Sequence, residues 1–204
     1  MKKVVILDTG CCNLTSLLSA VRRLGIEPIV TSEASETDGA SRLFLPGVGT
    51  AQAAMRALQQ RGLSECILQA RCPVLGICLG MQLLGSESSE TGGVKMLGVI
   101  PHKVEKLQVG RLTLPHMGWN QARVSVKDPL FEGLESPEGE YFYFVHSYAY
   151  AVNDCTIATT NYGSSFSAAV RYKNFWGVQF HPERSGATGA RLLRNFIEVC
   201  DERG

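Results

Sequence analysis

Residues 74–84 read Val-Leu-Gly-Ile-Cys-Leu-Gly-Met-Gln-Leu-Leu, and this stretch decides the fold expected for the 204-residue chain. Residues 74–77 form a short apolar run typical of a buried strand, and residues 81–84 begin a segment of helical character. Between them, residues 76–80 match the sharp strand-to-helix turn of a nucleophile elbow, with Cys in place of Ser. The pattern predicts that Cys78 stands above the edge of a sheet.

The glycines on either side of Cys78 have a physical reason. A nucleophile at such a turn has strained backbone geometry, so its neighbours must lack bulk if the chain is to bend and the helix to approach. The N-terminus of the following helix adds positive potential, which favours a thiolate over a thiol of ordinary pKa, about 8.5. The alternative is that Cys78 is a buried structural cysteine, and a five-residue match alone leaves that alternative open.

The sequence before the elbow alternates short apolar runs with segments of helical period, which predicts parallel strands joined by crossover helices. Strands are expected at residues 4–7, 29–31 and 43–45, and helices at 14–24, with Asn13 as N-cap, and around 51–58. Beyond Gly92 and Gly93 the chain alternates polar and apolar residues, as in 141–145, until an amphipathic helix around 192–197. We therefore expect one α/β domain over residues 1–204, with a central, mostly parallel sheet flanked by helices and antiparallel additions from the second half.

Charge and composition exclude several classes of function. Apolar residues make up 45% of the chain, and 20 Lys and Arg against 19 Asp and Glu give a net charge of +1. Because no run of like charge stands out, we expect neither nucleic acid nor a membrane surface as a partner. The apolar run at residues 4–7 is too short for a membrane span and lacks a cleavage site, so a cytoplasmic protein is expected.

The cysteines and histidines do not form a metal-binding pattern. The seven Cys include no C-x-x-C pair, which indicates free thiols in a reducing compartment. No two His share a helical i, i+4 spacing, and no Cys pair lies near a His, so no metal is expected. No glycine-rich phosphate loop follows a strand either, and no cofactor is predicted.

A cysteine nucleophile requires a base, and His181 is the candidate among four His. It ends an alternating apolar stretch, 177–181, and is followed by Pro182 and Glu183. In an extended segment residues two apart point the same way, so Glu183 can hold the His181 imidazole in one tautomer. Cys, His and carboxylate together predict acyl transfer through a thioester.

Acyl transfer also needs donors for the developing oxyanion. The N–H of Leu79, next to the nucleophile, is one candidate. The other is the loop 45–50, where Gly47 and Gly49 leave backbone N–H groups free to reorient. An ordinary strand-to-helix turn is the alternative interpretation of that loop.

Five segments together resemble class I, triad-type glutamine amidotransferases and, among them, the glutaminase subunits of imidazole glycerol phosphate synthase in histidine biosynthesis. Residues 76–82 are similar to the nucleophile segment of that family, and residues 177–185 to its His and Glu segment. The narrower resemblance rests on residues 46–49, 115–120 and 143–148. It extends over essentially the whole chain.

The resemblance implies a reaction and a partner. Cys78, with His181 and Glu183, would hydrolyse glutamine to glutamate and ammonia through a thioester. Ammonia would pass to a (β/α)₈-barrel cyclase subunit, the second member of a heterodimer, which makes imidazole glycerol phosphate and an aminoimidazole carboxamide ribotide.

The resemblance also implies roles for further residues. The oxyanion would be held at Val48 and Leu79; glutamine would be bound by Gly47, Gly49, Gln82, Glu90, Ser147 and Tyr148; and the partner would be met by Asn13, Trp119, Tyr143 and Arg184. Val48 stands where most related domains have a second Gly, so a slow, partner-gated reaction is implied, since a β-branched residue resists the alternative backbone conformation. Cys12 departs from the Gly of many relatives.

Other interpretations remain open at this point. Trp119 and Tyr143 could be core aromatics, His116 and His146 structural histidines, and Glu90 a solvated acid. A glutaminase serving another acceptor, a partner-independent cysteine hydrolase, and an inactive binding protein of the same fold are the rival functions.

Overall fold

The computed structural model describes residues 2–10, 14–198 and 200. The strands β1 to β13 are, in order, Val4–Leu7, Ile29–Thr31, Arg42–Gly47, Val74–Cys78, Glu87–Ser88, Val94–Lys95, Lys103–Lys106, His116–Val124, Glu140–His146, Tyr148–Tyr150, Thr156–Tyr162, Ser164–Tyr172 and Phe175–Val178. The helices α1 to α5 are Leu14–Arg23, Ala51–Gln60, Leu63–Leu68, Leu79–Leu83 and Gly186–Glu198.

The main sheet is mixed, with the strand order β2-β1-β3-β4-β13-β12-β11-β8-β9. Neighbouring strands from β2 to β13 are parallel, and those from β13 to β9 are antiparallel. A separate four-stranded sheet has the order β10-β7-β5-β6. The expected α/β fold is confirmed, and the antiparallel additions make up four of the nine strands of the main sheet.

Helices cover both faces of the parallel half, as its continuous apolar strands require. In β1, Val4 and Ile6 pack into one core with α1 and α5, whereas Val5 and Leu7 pack into a second core with α2, α3 and α4. The small sheet contributes Val104 to the second core. The predicted helices on both faces are therefore present.

Strand register brings the candidate site together. Gly47 at the end of β3 pairs with Cys78 at the end of β4, and Val178 at the end of β13 pairs with Ile77. Since the three strands are parallel, their carboxyl ends meet at one edge of the sheet. The loop after β3, the nucleophile and the segment 179–183 consequently converge.

Most of the predicted strands and helices are present, and the structure adds one helix and one small sheet that were not predicted. Strands β1 to β4 and helices α1, α2 and α5 lie where the periodicity placed them. Helix α3 and the small sheet were not predicted, because six residues and strands of two to four residues carry too little periodicity. Asn13 and Cys12 lie outside the described residues. Within the described part of the chain, no helix combines the length and apolar character that crossing a membrane requires.

Candidate active site

Cys78 lies at the junction of β4 and α4, as the elbow pattern predicts. Its backbone has φ 54° and ψ −112°, a region that side-chain-bearing residues rarely adopt. Its side chain is largely buried, and its sulfur nevertheless borders a cleft. Strained backbone of this kind is characteristic of functional turns.

The glycines of the elbow are required by close approach of backbone to backbone. A Cβ at Gly80 would lie 1.7 Å from the carbonyl oxygen of Leu45, and a Cβ at Gly76 would lie 2.7 Å from the carbonyl carbon and oxygen of Gly80. A Cβ at Gly47 would lie 3.0 Å from the Gly80 nitrogen. Three glycines thus interlock β3, β4 and the start of α4 beneath Cys78.

His181 and Glu183 are paired, but the backbone that pairs them differs from the expectation. His181 is extended, with φ −102° and ψ 93°, and a 3₁₀ turn over Pro182–Arg184 follows it. The Nδ1 atom of His181 lies 2.7 Å from Oε1 of Glu183. The prediction of a wholly extended segment was wrong, because proline at the first position of the turn favours helical geometry. The turn still brings the carboxylate to the imidazole.

The imidazole of His181 has a strongly perturbed pKa. Burial alone would lower it, but the neighbouring Cys78 sulfur and Glu183 carboxylate outweigh burial and raise the pKa of His181 to about 10. The ring therefore favours the protonated form. Within the described residues its Nε2 atom is buried and has no hydrogen-bond partner.

Two further groups contact the sulfur of Cys78. The carbonyl oxygen of Val145 and the Nε2 atom of Gln179 each lie 3.7 Å from Sγ. The carbonyl can accept a hydrogen bond from the thiol, and the amide can donate one to the sulfur. Sequence reasoning missed Gln179, although it stands two residues before His181.

The cleft above Cys78 has a volume of about 310 Å³. It is lined by nine residues singled out in the sequence, Val48, Gly49, Cys78, Leu79, Gln82, Glu90, Ser147, Tyr148 and His181. Pro115, Val145 and His146 complete the lining. Gly47 lies instead on a smaller cavity of about 100 Å³ behind Val48, which His181, Glu183 and Arg184 also line.

Hydrogen bonds fix two of the cleft side chains. Nε2 of Gln82 donates to the carbonyl oxygen of Tyr148 at 2.8 Å and to Oε1 of Gln179 at 3.0 Å. Oε2 of Glu90 accepts from the backbone nitrogen of Ala51 at 2.6 Å, at the start of α2. Glu90 is therefore tied to the segment that directly follows the loop 46–50.

The loop carrying Val48 is open to solvent. Val48 is 39% exposed and borders the cleft beside Leu79, and Gly49 has a φ of 94°, in the region that favours glycine. An oxyanion role for Val48 and Leu79 stays a prediction.

The expected partner-facing residues that the structure describes lie near one another. Trp119 and Tyr143 are paired across β8 and β9, with ring centroids 6.2 Å apart, and Trp119 is 56% exposed. Arg184 is exposed on the 3₁₀ turn after His181. Met117 and Tyr141 are also exposed on the outer face of the β8–β9 hairpin, and sequence reasoning did not select them. Asn13 lies outside the described residues.

The largest described cavity and the one cluster of possible metal ligands among the described residues both lie away from Cys78. A larger cavity, of about 620 Å³, lies near the amino ends of β3 and β4 and contains none of the predicted site residues. Side chains of His102, Asp154 and Cys155 bring possible metal ligands within 4.8 Å of one another. Because a hydrogen bond between His102 and the exposed Asp154 accounts for that closeness, the cluster gives little support to a metal site.

Comparisons with known proteins agree in the family they indicate. A family profile described as "Glutamine amidotransferase class-I" matches residues 5–200. "Imidazole glycerol phosphate synthase subunit HisH" of Salmonella typhimurium is 58% identical over 196 residues, which cover 96% of this chain and 99% of that protein. The protein of the same name from Escherichia coli is 57% identical, with the same coverage of 96% and 99%.

Solved structures resemble the chain at low identity and therefore bear on the fold alone. PurLQS from Thermotoga maritima has a TM-score of 0.74 at 19% identity, with 97% of this chain and 98% of that chain covered. A structure described as a glutamine amidotransferase has a TM-score of 0.73 at 21% identity, with 96% and 97% covered.

Proposed function

The chain belongs to the class I glutamine amidotransferase family, in the group of the HisH subunits of imidazole glycerol phosphate synthase, and from this we propose that it hydrolyses glutamine for a cyclase in histidine biosynthesis. The observation that carries the proposal is Cys78 on a strained strand-to-helix turn beside His181, whose Nδ1 is held 2.7 Å from Glu183. We also propose that residues 1–204 act as one cytoplasmic domain, since the two hydrophobic cores share the strands of the main sheet.

The proposed reaction begins with a thiolate. Cys78 attacks the carboxamide carbon of glutamine, and the C–N bond breaks as the proton on His181 passes to the leaving nitrogen, which departs as ammonia. Water then attacks the thioester, His181 accepts its proton, and glutamate leaves as the sulfur is released. The raised pKa of His181 supports this assignment, because the Cys78 sulfur and the Glu183 carboxylate both favour the protonated ring that the first step requires.

Glutamine is proposed to bind through its two polar ends. Both amide hydrogens of Gln82 are used by Tyr148 and Gln179, so Gln82 offers a ligand only its Oε1 acceptor, which suits an ammonium group. Glu90 adds negative charge at the same cleft. The backbone N–H groups of Ser147 and Tyr148 are proposed to bind the carboxylate, while Gly47 and Gly49 give the loop around Val48 its freedom.

Ammonia is proposed to pass to a (β/α)₈-barrel cyclase that docks on Trp119, Tyr143 and Arg184. The outer face of the β8–β9 hairpin supports this, because large apolar side chains exposed together are typical of interface cores. Tyr143 also accepts a hydrogen bond from the His181 nitrogen at 2.8 Å through its carbonyl, which links the proposed interface to the base. Asn13 is proposed as a further contact by family resemblance alone.

Glutamate release from glutamine tests this function in three mixtures: the chain alone, the chain with a cyclase subunit, and the chain with cyclase and its nucleotide ligand. We expect slow release in the first and the fastest in the third, because Val48 restrains the oxyanion loop until the partner is loaded. Fast release by the chain alone would support the partner-independent hydrolase instead. Unchanged release by Cys78→Ala in the third mixture would exclude the proposed chemistry.

A further inference from the structure

A continuous line of hydrogen bonds runs from the β8–β9 hairpin to the nucleophile. Its contacts, in order, are Asn120 Nδ2 to His116 Nε2 at 3.2 Å, His116 Nδ1 to His146 Nε2 at 3.0 Å, His146 Nδ1 to the Tyr148 oxygen at 3.0 Å, Gln82 Nε2 to the same oxygen at 2.8 Å, Gln82 Nε2 to Gln179 Oε1 at 3.0 Å, and Gln179 Nε2 to Cys78 Sγ at 3.7 Å. We call this set the relay. Its first member adjoins Trp119.

The Tyr148 carbonyl fixes the direction of every bond in the relay. A carbonyl oxygen only accepts, so His146 Nδ1 and Gln82 Nε2 must both carry the hydrogen that they direct at it. This assigns the tautomer of His146 and the orientation of the Gln82 amide from the bonding pattern.

On the histidine side the directions follow in sequence. With its hydrogen on Nδ1, neutral His146 presents Nε2 as an acceptor, so His116 donates from Nδ1 and accepts at Nε2 from Asn120. Burial supports the neutral forms, since it lowers the pKa of His116 to about 4 and that of His146 to about 3. Every ring nitrogen of the pair is therefore satisfied without a charge.

On the glutamine side the last bond ends on the reacting atom. Gln82 uses its second amide hydrogen on Oε1 of Gln179, which orients the Gln179 amide with its nitrogen toward Cys78. Gln179 is fully buried, so this amide has little alternative partner. The Val145 carbonyl on the same sulfur can pair only with a thiol, whereas the Gln179 N–H can stabilise a thiolate.

We propose that Gln179 is a hydrogen-bond donor to the Cys78 thiolate and that Gln82 is the positioning residue that holds its amide in the donating orientation. His116 and His146 are positioning residues one step further away, because they hold the Tyr148 carbonyl to which Gln82 also donates. The role in glutamine turnover rests on the function proposed above, whereas the effect on the thiolate does not depend on it. A neutral, fully satisfied line suits this task, because a charge within it would reorient its members.

The test measures the rate at which iodoacetamide alkylates Cys78 in the full chain between pH 5 and 9, followed by mass spectrometry of the peptide that contains it. Gln179→Met and Gln179→Leu place an uncharged, apolar side chain of similar size at this position and remove the donor. We expect the apparent pKa of the thiol to rise by about one unit and alkylation at pH 6 to slow by about ten-fold. Unchanged profiles in both folded variants would overturn the proposal.

A second pair of variants tests the positioning residues and decides the matter if both Gln179 variants fail to fold. His146→Leu removes the donor to Tyr148 and should slow alkylation several-fold, while His146→Asn retains a donor near the Nδ1 position and should recover part of the rate. Equal profiles for the two variants would contradict the relay. His102→Gln is the control, because His102 pairs with the exposed Asp154 outside the relay.

No step of this test involves glutamine or a partner. The same variants are then assayed for glutamate release with the cyclase and its ligand. If alkylation slows but wild-type chain releases no glutamate, the proposed function fails while the relay stands. If glutamate release is normal in wild type and alkylation is unaltered in the variants, the relay fails while the function stands.

Discussion

Two histidines line the same cleft and are equally buried, yet their protonation is opposite. His146 and His181 are each 6% exposed. Burial lowers the pKa of His146 to about 3, whereas Cys78 and Glu183 overcome burial and raise the pKa of His181 to about 10. The difference shows that neighbouring groups decide the charge of a buried imidazole. His181 lies beside the Cys78 sulfur and the Glu183 carboxylate, whereas His146 donates to an uncharged carbonyl.

The largest difference between the two histidines should appear in activity. With cyclase and its ligand present, we expect His181→Asn to lower glutamate release by about 10⁴-fold, because the proton donor and acceptor is lost. His146→Asn should lower it by about ten-fold, through positioning alone. Steady-state kinetics of both variants is the measurement. Equal falls in glutamate release would contradict a catalytic role for His181 beside a positioning role for His146.

Glu183→Gln should bring His181 closer to the behaviour of His146. A neutral amide no longer favours the imidazolium, so the pKa of His181 should fall and kcat should drop by about 10³-fold. The measurement is the pH profile of kcat with saturating glutamine. Glu198→Gln, which changes an exposed acid paired with Arg194 on α5, is the matched control and should leave the profile unaltered.

The free energy of unfolding should depend on pH in opposite directions for the neutral pair His116 and His146 and for His181. Folding keeps His116 and His146 neutral, with pKa values of about 4 and about 3, so the unfolded chain binds more protons below pH 6.5 and stability falls as pH decreases. Each of these two rings changes the free energy of unfolding by at most about 1.4 kcal/mol per pH unit. His181, with its raised pKa, stabilises the fold fully below pH 6.5, and this contribution is lost as pH rises through about 10.

Urea unfolding at several pH values between 6.5 and 5 would measure the acid side. We expect the free energy of unfolding to decrease across this range in the wild-type chain and to change much less in a His116→Asn, His146→Asn double variant. A double variant with the wild-type slope would show that other groups carry the dependence.

The smallest effect is expected at a histidine outside the cleft. His102 is partly exposed and pairs with Asp154, whose side chain is 83% exposed. Since even a charged pair at the surface contributes only about 0–1 kcal/mol, His102→Gln should change the free energy of unfolding by less than about 1 kcal/mol and leave glutamate release unaltered. Urea unfolding and the glutamate assay together check this, and a large loss in either would assign His102 a role that its position does not suggest.

The sequence predicted the local parts of the site better than the long-range ones. The elbow at Cys78 could be identified because strand, turn and helix are contiguous, and the pairing of His181 with Glu183 because they lie two positions apart. The His116–His146 pair forms only when β8 meets β9 in a register that places the two residues opposite each other. Thirty positions apart in sequence, they give no local periodicity that would reveal the contact.

Gln179 illustrates a different limit. It lies within the segment 177–185 that carried the family resemblance, but a buried glutamine directly after a strand has no chemistry of its own that marks it. Its position beside Cys78 depends on parallel pairing of β13 with β4, and its orientation depends on Gln82 of α4. Side-chain direction of this kind follows from the assembled sheet.

The absent side chain at Gly80 has a consequence for how this protein can diversify. With 1.7 Å between a would-be Cβ and the Leu45 oxygen, even Gly80→Ala requires β3 and α4 to separate. In a saturation library that scores abundance and turnover separately, substitutions at this position should disappear at the abundance stage, whereas those at solvent-facing Trp119 should survive it. In laboratory evolution toward a new ammonia acceptor, we then expect substitutions to accumulate on the exposed face of the β8–β9 hairpin, while the turn between β4 and α4 stays unchanged.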